Sequence, residues 1–460
     1  MSISCVLDLQ QPKDINQHLR RQTLDDATET IIARCPCDEL NYNDFFWNNM
    51  YTNWPIVLTG VSNAWACRRH WTRVNNNNTN NQSDNITYTT TNTPNTAIDY
   101  DYLRDKMGNC QVPVANCSRE YFNSHAKCEM NFHNYLDYWQ QKCEQDINHN
   151  AKASLTPINS NIVFEETTVK TENLYLKDWH LKAQMPDYDF YTVPKYFASD
   201  WLNEYLIDNG KDDYRFVYMG PKDSWTPFHA DVFGSYSWST NIIGCKRWLL
   251  LPPGEENRLK DKLGNVPFRI SEQMLTEQHV RHFIIEQKEN ESIFVPSGWY
   301  HQVHNMTDTI SVNHNWFNAC NLHKIWQNLA SNMQQVIAEI EDCRQMEDFD
   351  EHCHTMLRAS FGLNFYDFLN MLEYIAGKRT AQCNNNNEQS SVDAASNAGT
   401  VNTTKYLLFN TYTLSDHHVR YDLHCINAIV QEMLQNAVIT DSRAVLYRRC
   451  LSLKELTKNF

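Results

Sequence analysis

Two short stretches decide the fold of this chain: SWTPFHAD at residues 224–231 and VPSGWYH at residues 295–301. His229 and Asp231 are two positions apart, so on a β-strand both side chains point to the same face. His301 follows a Gly-Trp turn, which itself follows the apolar run at residues 293–296. We therefore expect His229, Asp231 and His301 to meet on one face inside a strand-rich domain.

These three side chains form a metal-binding set. Two imidazoles and one carboxylate on one side of a metal leave the opposite positions open, as in non-haem Fe(II) oxygenases. The spacing alone is weak support, because a histidine on a strand is more often a hydrogen-bonded core residue. Lys246 strengthens the metal interpretation. It opens the apolar strand WLLL at residues 248–251, where an ammonium is costly unless it is paired with an anion such as an α-keto diacid.

These residues, together with VPVANC at 112–117, LYLKDWH at 174–180 and SDWLN at 199–203, resemble the JmjC family of Fe(II)- and 2-oxoglutarate-dependent oxygenases. The resemblance is closest to one lysyl hydroxylase branch and runs from about residue 40 to about residue 375. It implies an α+β fold. The expected architecture is a cupin-like double-stranded β-helix (a jelly roll) with N-terminal α/β elements and a C-terminal helical region.

The resemblance also implies roles for individual residues. The expected catalytic Fe(II) ligands are His229, Asp231 and His301. The expected contacts to 2-oxoglutarate are Thr226, Lys246 and Asn313. A further polar contact comes from the strand that begins near residue 235, and the sequence does not choose among Ser237, Ser239 and Asn241.

Two aromatic residues are predicted to line the approach of a substrate side chain. Tyr218 lies on the strand before the His-x-Asp motif, and Trp299 lies beside the second histidine. An aromatic wall can contact the methylene stem of a lysine while an acidic group receives its ammonium. Core packing is the competing explanation for each ring, and it is the stronger explanation for Trp299.

The function implied by the resemblance is hydroxylation of a protein by dioxygen. The branch that this chain resembles acts on a lysine of a eukaryotic translation termination release factor. A JmjC lysine demethylase is the alternative enzyme, although the His-x-Asp ligand set is commoner among the hydroxylases and no zinc finger or chromatin-reader module is recognisable. A catalytically silent cupin-like scaffold is the second alternative, and the intact ligands with Lys246 argue against it.

Composition excludes several other classes of protein. The formal net charge of -15 opposes nucleic-acid binding through phosphates. No apolar stretch approaches the roughly 18 residues of a membrane helix, and residues 1–14 carry no secretory signal. The 15 cysteines, an odd number without a repeating frame, indicate reduced thiols and therefore the cytoplasm, or alternatively the nucleus. The sequence leaves the oligomeric state open.

The pattern along the chain predicts its organisation. Asn- and Thr-rich composition predicts disordered inserts near 75–95 and 148–171 within the catalytic domain. After Asn318 the apolar residues recur at helical spacing, which is typical of a core or an interhelical seam. The predicted regions are an N-terminal segment 1–40, the catalytic domain 41–320, a helical region 321–380, a low-complexity linker 384–404 and a C-terminal helical segment 405–460.

Three other groups of residues attract weaker interpretations. Cys35 and Cys37 lack the spacing of a redox motif and are expected to be unreactive thiols. His304 is expected on the face of its strand opposite to His301, in a structural role. A zinc site is considered and disfavoured for Cys343, His352, Cys353 and His354.

Overall fold

The computed structural model describes residues 5–10, 31–74, 96–122, 124–153, 172–389, 412–441 and 445–460. The insert predicted at 75–95 lies outside these ranges, as do residues 154–171 and 390–404 of the other two low-complexity predictions. The boundaries of those two predictions need correction. Residues 148–153 and 384–389 are helical, because each continues a helix that began earlier in the chain. Extending an existing helix costs far less than nucleating one, even through asparagines.

The strands are numbered in chain order. They are β1 (Cys5–Leu7), β2 (Arg34–Pro36), β3 (Ile56–Thr59), β4 (Thr72–Val74), β5 (Thr96–Ile98), β6 (Gln111–Tyr121), β7 (Ser124–Asn131), β8 (Leu174–Trp179), β9 (Arg215–Gly220), β10 (Trp225–His229), β11 (Tyr236–Ile243), β12 (Lys246–Leu251), β13 (Phe283–Gln287), β14 (Glu291–Val295), β15 (Tyr300–Asn305), β16 (Thr309–Trp316) and β17 (Tyr412–Leu414).

Two sheets build the double-stranded β-helix. The larger sheet has the strand order β2-β3-β14-β11-β16-β9-β8-β6-β7, and the smaller has the order β10-β15-β12-β13. Pairing is antiparallel throughout both sheets except between β2 and β3. The predicted α+β jelly roll is confirmed.

Alternation of apolar and polar residues explains which faces are buried. Along β13, Phe283, Ile285 and Gln287 are buried whereas the two residues between them are exposed. β14 is buried at every position because it lies inside the larger sheet with both faces covered. The turn from β11 to β12 requires glycine at 244. Its φ is +88°, and a Cβ there would come within 2.2 Å of the Asp308 carbonyl oxygen. This turn sets the start of β12, at Lys246.

Most α-helices of the N-terminal part of the chain pack around the sheets, and the α-helices after residue 320 form a separate layer. They are α1 (Tyr42–Phe45), α2 (Ala66–His70), α3 (Tyr100–Met107), α4 (Phe132–Ala153), α5 (Leu181–Gln184), α6 (Trp201–Asp208), α7 (Glu272–Glu277), α8 (Leu322–Glu339), α9 (Phe349–Phe361), α10 (Phe365–Gln389), α11 (Asp416–Met433), α12 (Ala437–Asp441) and α13 (Val445–Thr457). A π-helix at Phe46–Tyr51 continues α1 directly.

The C-terminal helices share one hydrophobic core. The apolar stripe predicted after Asn318 is buried along α8, and the stripe beginning at Phe365 is buried along α10. Both stripes pack against α6 and α11 of the same chain. The prediction of a helical core is therefore confirmed, and this chain's own helices cover its apolar face.

The first described strand is joined to the segment that precedes the last three helices. Strand β1 pairs in parallel with β17, so that Leu7 lies opposite Leu414. Leu7 and Leu9 are almost fully buried in the core that supports the larger sheet. Within the described ranges, no helix combines the length and apolarity needed to cross a bilayer.

Candidate active site

A cavity of about 400 Å³ lies between the two sheets, lined by strands of both. The His-x-Asp stretch and His301 lie at one end, which we call the metal end. Lys246, from the start of β12, marks the cation end. The sequence therefore brings the predicted metal ligands and the predicted cosubstrate lysine into one cavity, although they are spread over about 70 residues.

Strand pairing positions the metal end. His229 closes β10 and lies directly opposite His301 of β15, with ring centroids 4.4 Å apart. Asp231 lies two residues beyond the end of β10, where the chain leaves the sheet. One ligand atom from each of these three residues lies within 4.8 Å of the other two, and they form the one such group among the described residues.

Hydrogen bonds orient all three ligands. The Nδ1 atoms of His229 and His301 lie 2.8 Å and 3.0 Å from the carbonyl oxygens of Pro227 and Trp299. With a proton on each Nδ1, each Nε2 keeps a lone pair for a metal. Burial lowers the pKa of His229 to about 4, with a further contribution from His301, so this ring stays neutral at physiological pH.

The carboxylate of Asp231 is held by two neighbours. Its Oδ2 accepts a hydrogen bond from the Ser237 hydroxyl at 2.7 Å, and its Oδ1 accepts one from the Asn315 amide at 2.8 Å. Such outer partners fix a ligand before the metal arrives. The donor set of two neutral imidazoles and one carboxylate, all on one side, fits Fe(II) with positions left open.

The cation end has the opposite character. Lys246 is 2 % exposed, and its ammonium donates to the Ser311 hydroxyl at 2.6 Å. No carboxylate among the described residues forms an ion pair with it. Burial, together with the nearby charge of Lys177, lowers the pKa of Lys246 to about 7. An ammonium in this state fits the distal carboxylate of a keto diacid.

The other residues predicted to contact 2-oxoglutarate are distributed as follows. Thr226 and Asn313 both line the cavity. Of the three alternatives left open, Ser237 bonds Asp231, and Asn241 uses its amide on the Gln287 carbonyl outside the cavity lining. Ser239 lines the cavity, and its buried hydroxyl has no hydrogen-bond partner among the described residues. Of the three, Ser239 is therefore the residue whose hydroxyl is available to a ligand in the cavity.

The two aromatic predictions have different outcomes. Tyr218 lines the cavity, and its hydroxyl donates to Asp178 at 2.7 Å. The prediction for Trp299 is wrong, because this ring is 2 % exposed and is absent from the cavity wall. It packs against Trp54 and donates to the Asn53 carbonyl oxygen. The Trp299 ring, which follows from the sequence as a neighbour of His301, is therefore part of the hydrophobic core.

The structure also shows where the residues of the three weaker interpretations lie. His304 is outside the cavity lining and stacks on Trp225 at 5.5 Å, which supports the structural role predicted for it. Cys35 and Cys37 are partly buried free thiols whose pKa values are raised, mainly by burial. His354 is buried against Phe365. The cysteines and histidines of the disfavoured zinc site form no group able to hold a metal in the described structure.

Sequence reasoning missed several polar residues in or next to this cavity; Ser311 does not line it but accepts a hydrogen bond from Lys246. Ser311 and Asn315 flank Asn313 at two-residue spacing on β16, and the period of two that placed Asn313 inward would have found them. Lys177 and Asp178 of β8 also line the cavity. Their segment was noticed only for its resemblance, because nothing local indicates that β8 lies beside β9.

Comparison with known proteins agrees with this geometry. A family model described as "JmjC domain, hydroxylase" matches residues 216–316. The chain is 52% identical over 417 residues to the 2-oxoglutarate and iron-dependent oxygenase JMJD4 homolog of Drosophila melanogaster, covering 91% of each chain. It is 38% identical over 349 residues to 2-oxoglutarate and iron-dependent oxygenase JMJD4 of Homo sapiens, covering 74% of each. The chain belongs to the JMJD4 family of JmjC oxygenases.

As a JMJD4-family member, the protein is an oxygenase whose cofactors are Fe(II) and 2-oxoglutarate. This argues against the alternative of a catalytically silent scaffold. A more distant relative is the arginine-specific demethylase JMJ20 of Arabidopsis thaliana. It is 34% identical over 359 residues, which cover 73% of this chain and 68% of that protein.

Proposed function

We propose that this oxygenase hydroxylates a lysine side chain of a protein, and that the protein is a translation termination release factor. The observation that carries the proposal is that one cavity holds the hydrogen-bonded His229, Asp231 and His301 set together with buried Lys246, which forms no ion pair with any described residue. The resemblance of this chain to a lysyl hydroxylase branch supports the substrate. The proposed location is the cytoplasm, where translation terminates, with the nucleus as a second compartment.

The residues have separate tasks in this proposal. His229, Asp231 and His301 hold Fe(II), and Lys246, Thr226, Asn313 and Ser239 hold 2-oxoglutarate. When bound, the two cofactors supply an oxidant from dioxygen as the keto acid loses carbon dioxide and becomes succinate. The chain's contribution is to hold both cofactors, to exclude water with the cavity walls and to orient one C–H bond of the substrate.

Tyr218 and Asp178 give the substrate lysine a surface to contact. The ring of Tyr218 faces the cavity, and the carboxylate of Asp178 lies beside it, held by the Tyr218 hydroxyl and by Lys127. Asp178 has a φ of +62°, a conformation that is unfavourable for a residue with a side chain. Backbone strain of this kind tends to occur at functional sites.

Mass spectrometry tests the proposal directly. The protein is incubated with Fe(II), 2-oxoglutarate and a release-factor fragment, with Asp231→Ala as the inactive control. We expect one oxygen atom to be added to an unmethylated lysine. Loss of a methyl group from methylated peptides, with no oxygen added to the fragment, would contradict the proposal.

Demethylation is the second candidate function, because the Arabidopsis relative is named as an arginine-specific demethylase. The same cavity would serve either reaction, since both begin with oxidation of a C–H bond. Methylated arginine and methylated lysine peptides therefore belong in the same assay. A rate on either that exceeds the rate on the release-factor fragment would favour this candidate.

A further inference from the structure

The cavity contains a second internal cation, Lys177. This residue lies on β8, is partly buried, and lines the same cavity as Lys246. Its ammonium is 6.0 Å from the centre of the Tyr218 ring, and the ammonium of Lys246 is 5.7 Å from the same centre. Two positive charges therefore gather around one aromatic ring.

No acceptor satisfies Lys177 within the described part of the chain. Its neighbour Asp178 favours the positive charge, but both oxygens of that carboxylate are engaged elsewhere. One accepts from the Tyr218 hydroxyl at 2.7 Å, and the other accepts from Lys127 at 2.5 Å. The Lys177 ammonium is left with the face of Tyr218, which is a weak substitute for a carboxylate.

The balance of charge in the cavity indicates what Lys177 needs. An ammonium removed from water without a partner is unfavourable, and a second ammonium nearby makes it more so. Asp231 belongs to the metal end and is held there by Ser237 and Asn315. The described residues thus leave Lys177 without an anion, and an anionic ligand that enters the cavity would supply one. 2-Oxoglutarate brings a distal carboxylate with two oxygens, enough for two cations.

We propose that Lys177 is a second cosubstrate-binding residue, which shares the distal carboxylate of 2-oxoglutarate with Lys246. This inference rests on the cosubstrate role proposed above for Lys246. Lys246 contributes the deeper contact, supported by Ser311, and Lys177 contributes the contact from β8. The selectivity of the cavity for a diacid over a keto monoacid then comes from both lysines.

Equilibrium binding tests this without turnover. The full chain, loaded with Mn²⁺ in place of iron, is titrated with 2-oxoglutarate and with 2-oxopentanoate, which lacks the distal carboxylate. Lys177→Met should weaken 2-oxoglutarate binding about tenfold, as expected for one charged contact. It should leave 2-oxopentanoate binding unchanged. Lys177→Arg, which keeps the charge, should retain most of the preference for the diacid.

Lys324→Met is the matched control. Lys324 is also partly buried, and burial lowers its pKa to about 8, but it lies on α8 away from the cavity. Its replacement should leave both affinities unchanged. Thermal unfolding of each variant separates a binding defect from a folding defect, and Lys177→Gln replaces the methionine variant if that one is unstable.

Two results would overturn the inference. One is an equal loss of affinity for both keto acids in Lys177→Met. The other is no loss for either keto acid, which would show that Lys177 does not contact the cosubstrate. Because the titration requires no product, its outcome is separate from the mass-spectrometric test. If Lys177→Met prefers 2-oxoglutarate over 2-oxopentanoate less strongly than the wild type, but the wild type oxidises no lysine of the fragment, the role of Lys177 stands. Only the proposed substrate is then rejected.

Discussion

The two ends of the cavity differ in how far the chain satisfies its own polar groups. At the metal end, both imidazole Nδ1 atoms and both oxygens of Asp231 have hydrogen-bond partners within the chain. At the cation end, within the described residues, Lys246 donates to a serine hydroxyl and lies near the face of Tyr218, and Lys177 lies near the same face without a hydrogen-bond acceptor.

This difference indicates what each end contributes to binding. Ligands that are already oriented lose little conformational entropy when the metal arrives, so the metal end favours one geometry. Buried charges without a counter-ion destabilise the empty cavity, and that cost is relieved when a carboxylate enters. The metal end therefore fixes the coordination geometry, and the cation end favours binding of the diacid because the diacid neutralises its buried charges.

The largest expected effect comes from removing one of the metal ligands at the metal end. Replacing His229 or Asp231 with Ala should abolish succinate formation, because two protein ligands cannot hold the metal in the required arrangement. The melting temperature without metal should change little, since the ligands complete a sheet that other residues stabilise. Succinate release and calorimetry measure the two quantities, and near-normal turnover in either variant would show that the metal site is elsewhere.

The next largest effect is expected from removing the buried lysine of the cation end. Lys246→Ala should weaken 2-oxoglutarate binding by about 3–5 kcal/mol, the cost of breaking a buried charge pair by removing one member. The ligand-free variant should be no less stable than the wild type, because it loses an uncompensated charge. Titration with 2-oxoglutarate and thermal unfolding check both points, and unchanged saturation would mean that another cation binds the carboxylate.

A smaller effect is expected from the partners that orient Asp231. Ser237→Ala and Asn315→Ala should each lower metal affinity about 10- to 100-fold, as outer partners of metal ligands usually do. The Kd for iron measures this under anaerobic conditions. Asn241→Ala is a useful comparison on the same strand as Ser237, because its amide bonds the Gln287 carbonyl and should not affect the metal. Equal losses in all three variants would point to general damage to the sheet.

The smallest effect is a dependence on pH at the cation end. Burial lowers the pKa of Lys246 to about 7, so above that pH the empty cavity holds a neutral amine. Binding the dianion must then take up a proton, and 2-oxoglutarate affinity should fall about tenfold per pH unit above 7. Isothermal titration in buffers of different ionisation enthalpy would detect the proton. Lys246→Met should remove this part of the dependence.

The sequence predicted the metal end better than the cation end, for a physical reason. His229 and Asp231 are two positions apart in the sequence, so a local pattern was enough to predict that they meet, although Asp231 lies just beyond the end of β10. Lys246 was found because a charge at the start of an apolar strand is conspicuous. Lys177 was not found, because its position depends on β8 pairing with β9, about 40 residues away along the chain.

The incorrect predictions share a similar origin. Whether Trp299 lines the cavity or packs in the core depends on residues such as Trp54, which lies far away in sequence and packs edge-on against the Trp299 ring. The helix boundaries were misplaced because composition at 384–387 suggested a break, whereas the buried stripe of α10 had already nucleated the helix. The local sequence pattern predicts well where strands lie and which of their faces is buried. Contacts with residues distant in sequence decide whether an aromatic side chain lines a cavity and where a helix ends.

The pairing of β1 with β17 has a consequence for biosynthesis. The amide of Leu9 meets the Ser415 hydroxyl at 3.4 Å across a separation of 406 residues. At the usual speed of translation, about 5–20 residues per second, β1 leaves the ribosome about 20 to 80 s before its partner exists. During that interval the apolar side chains of Leu7 and Leu9 lack part of their final packing. Strand β1 is thus made early and locked in place late, so its apolar side chains stay exposed for most of the synthesis of the chain.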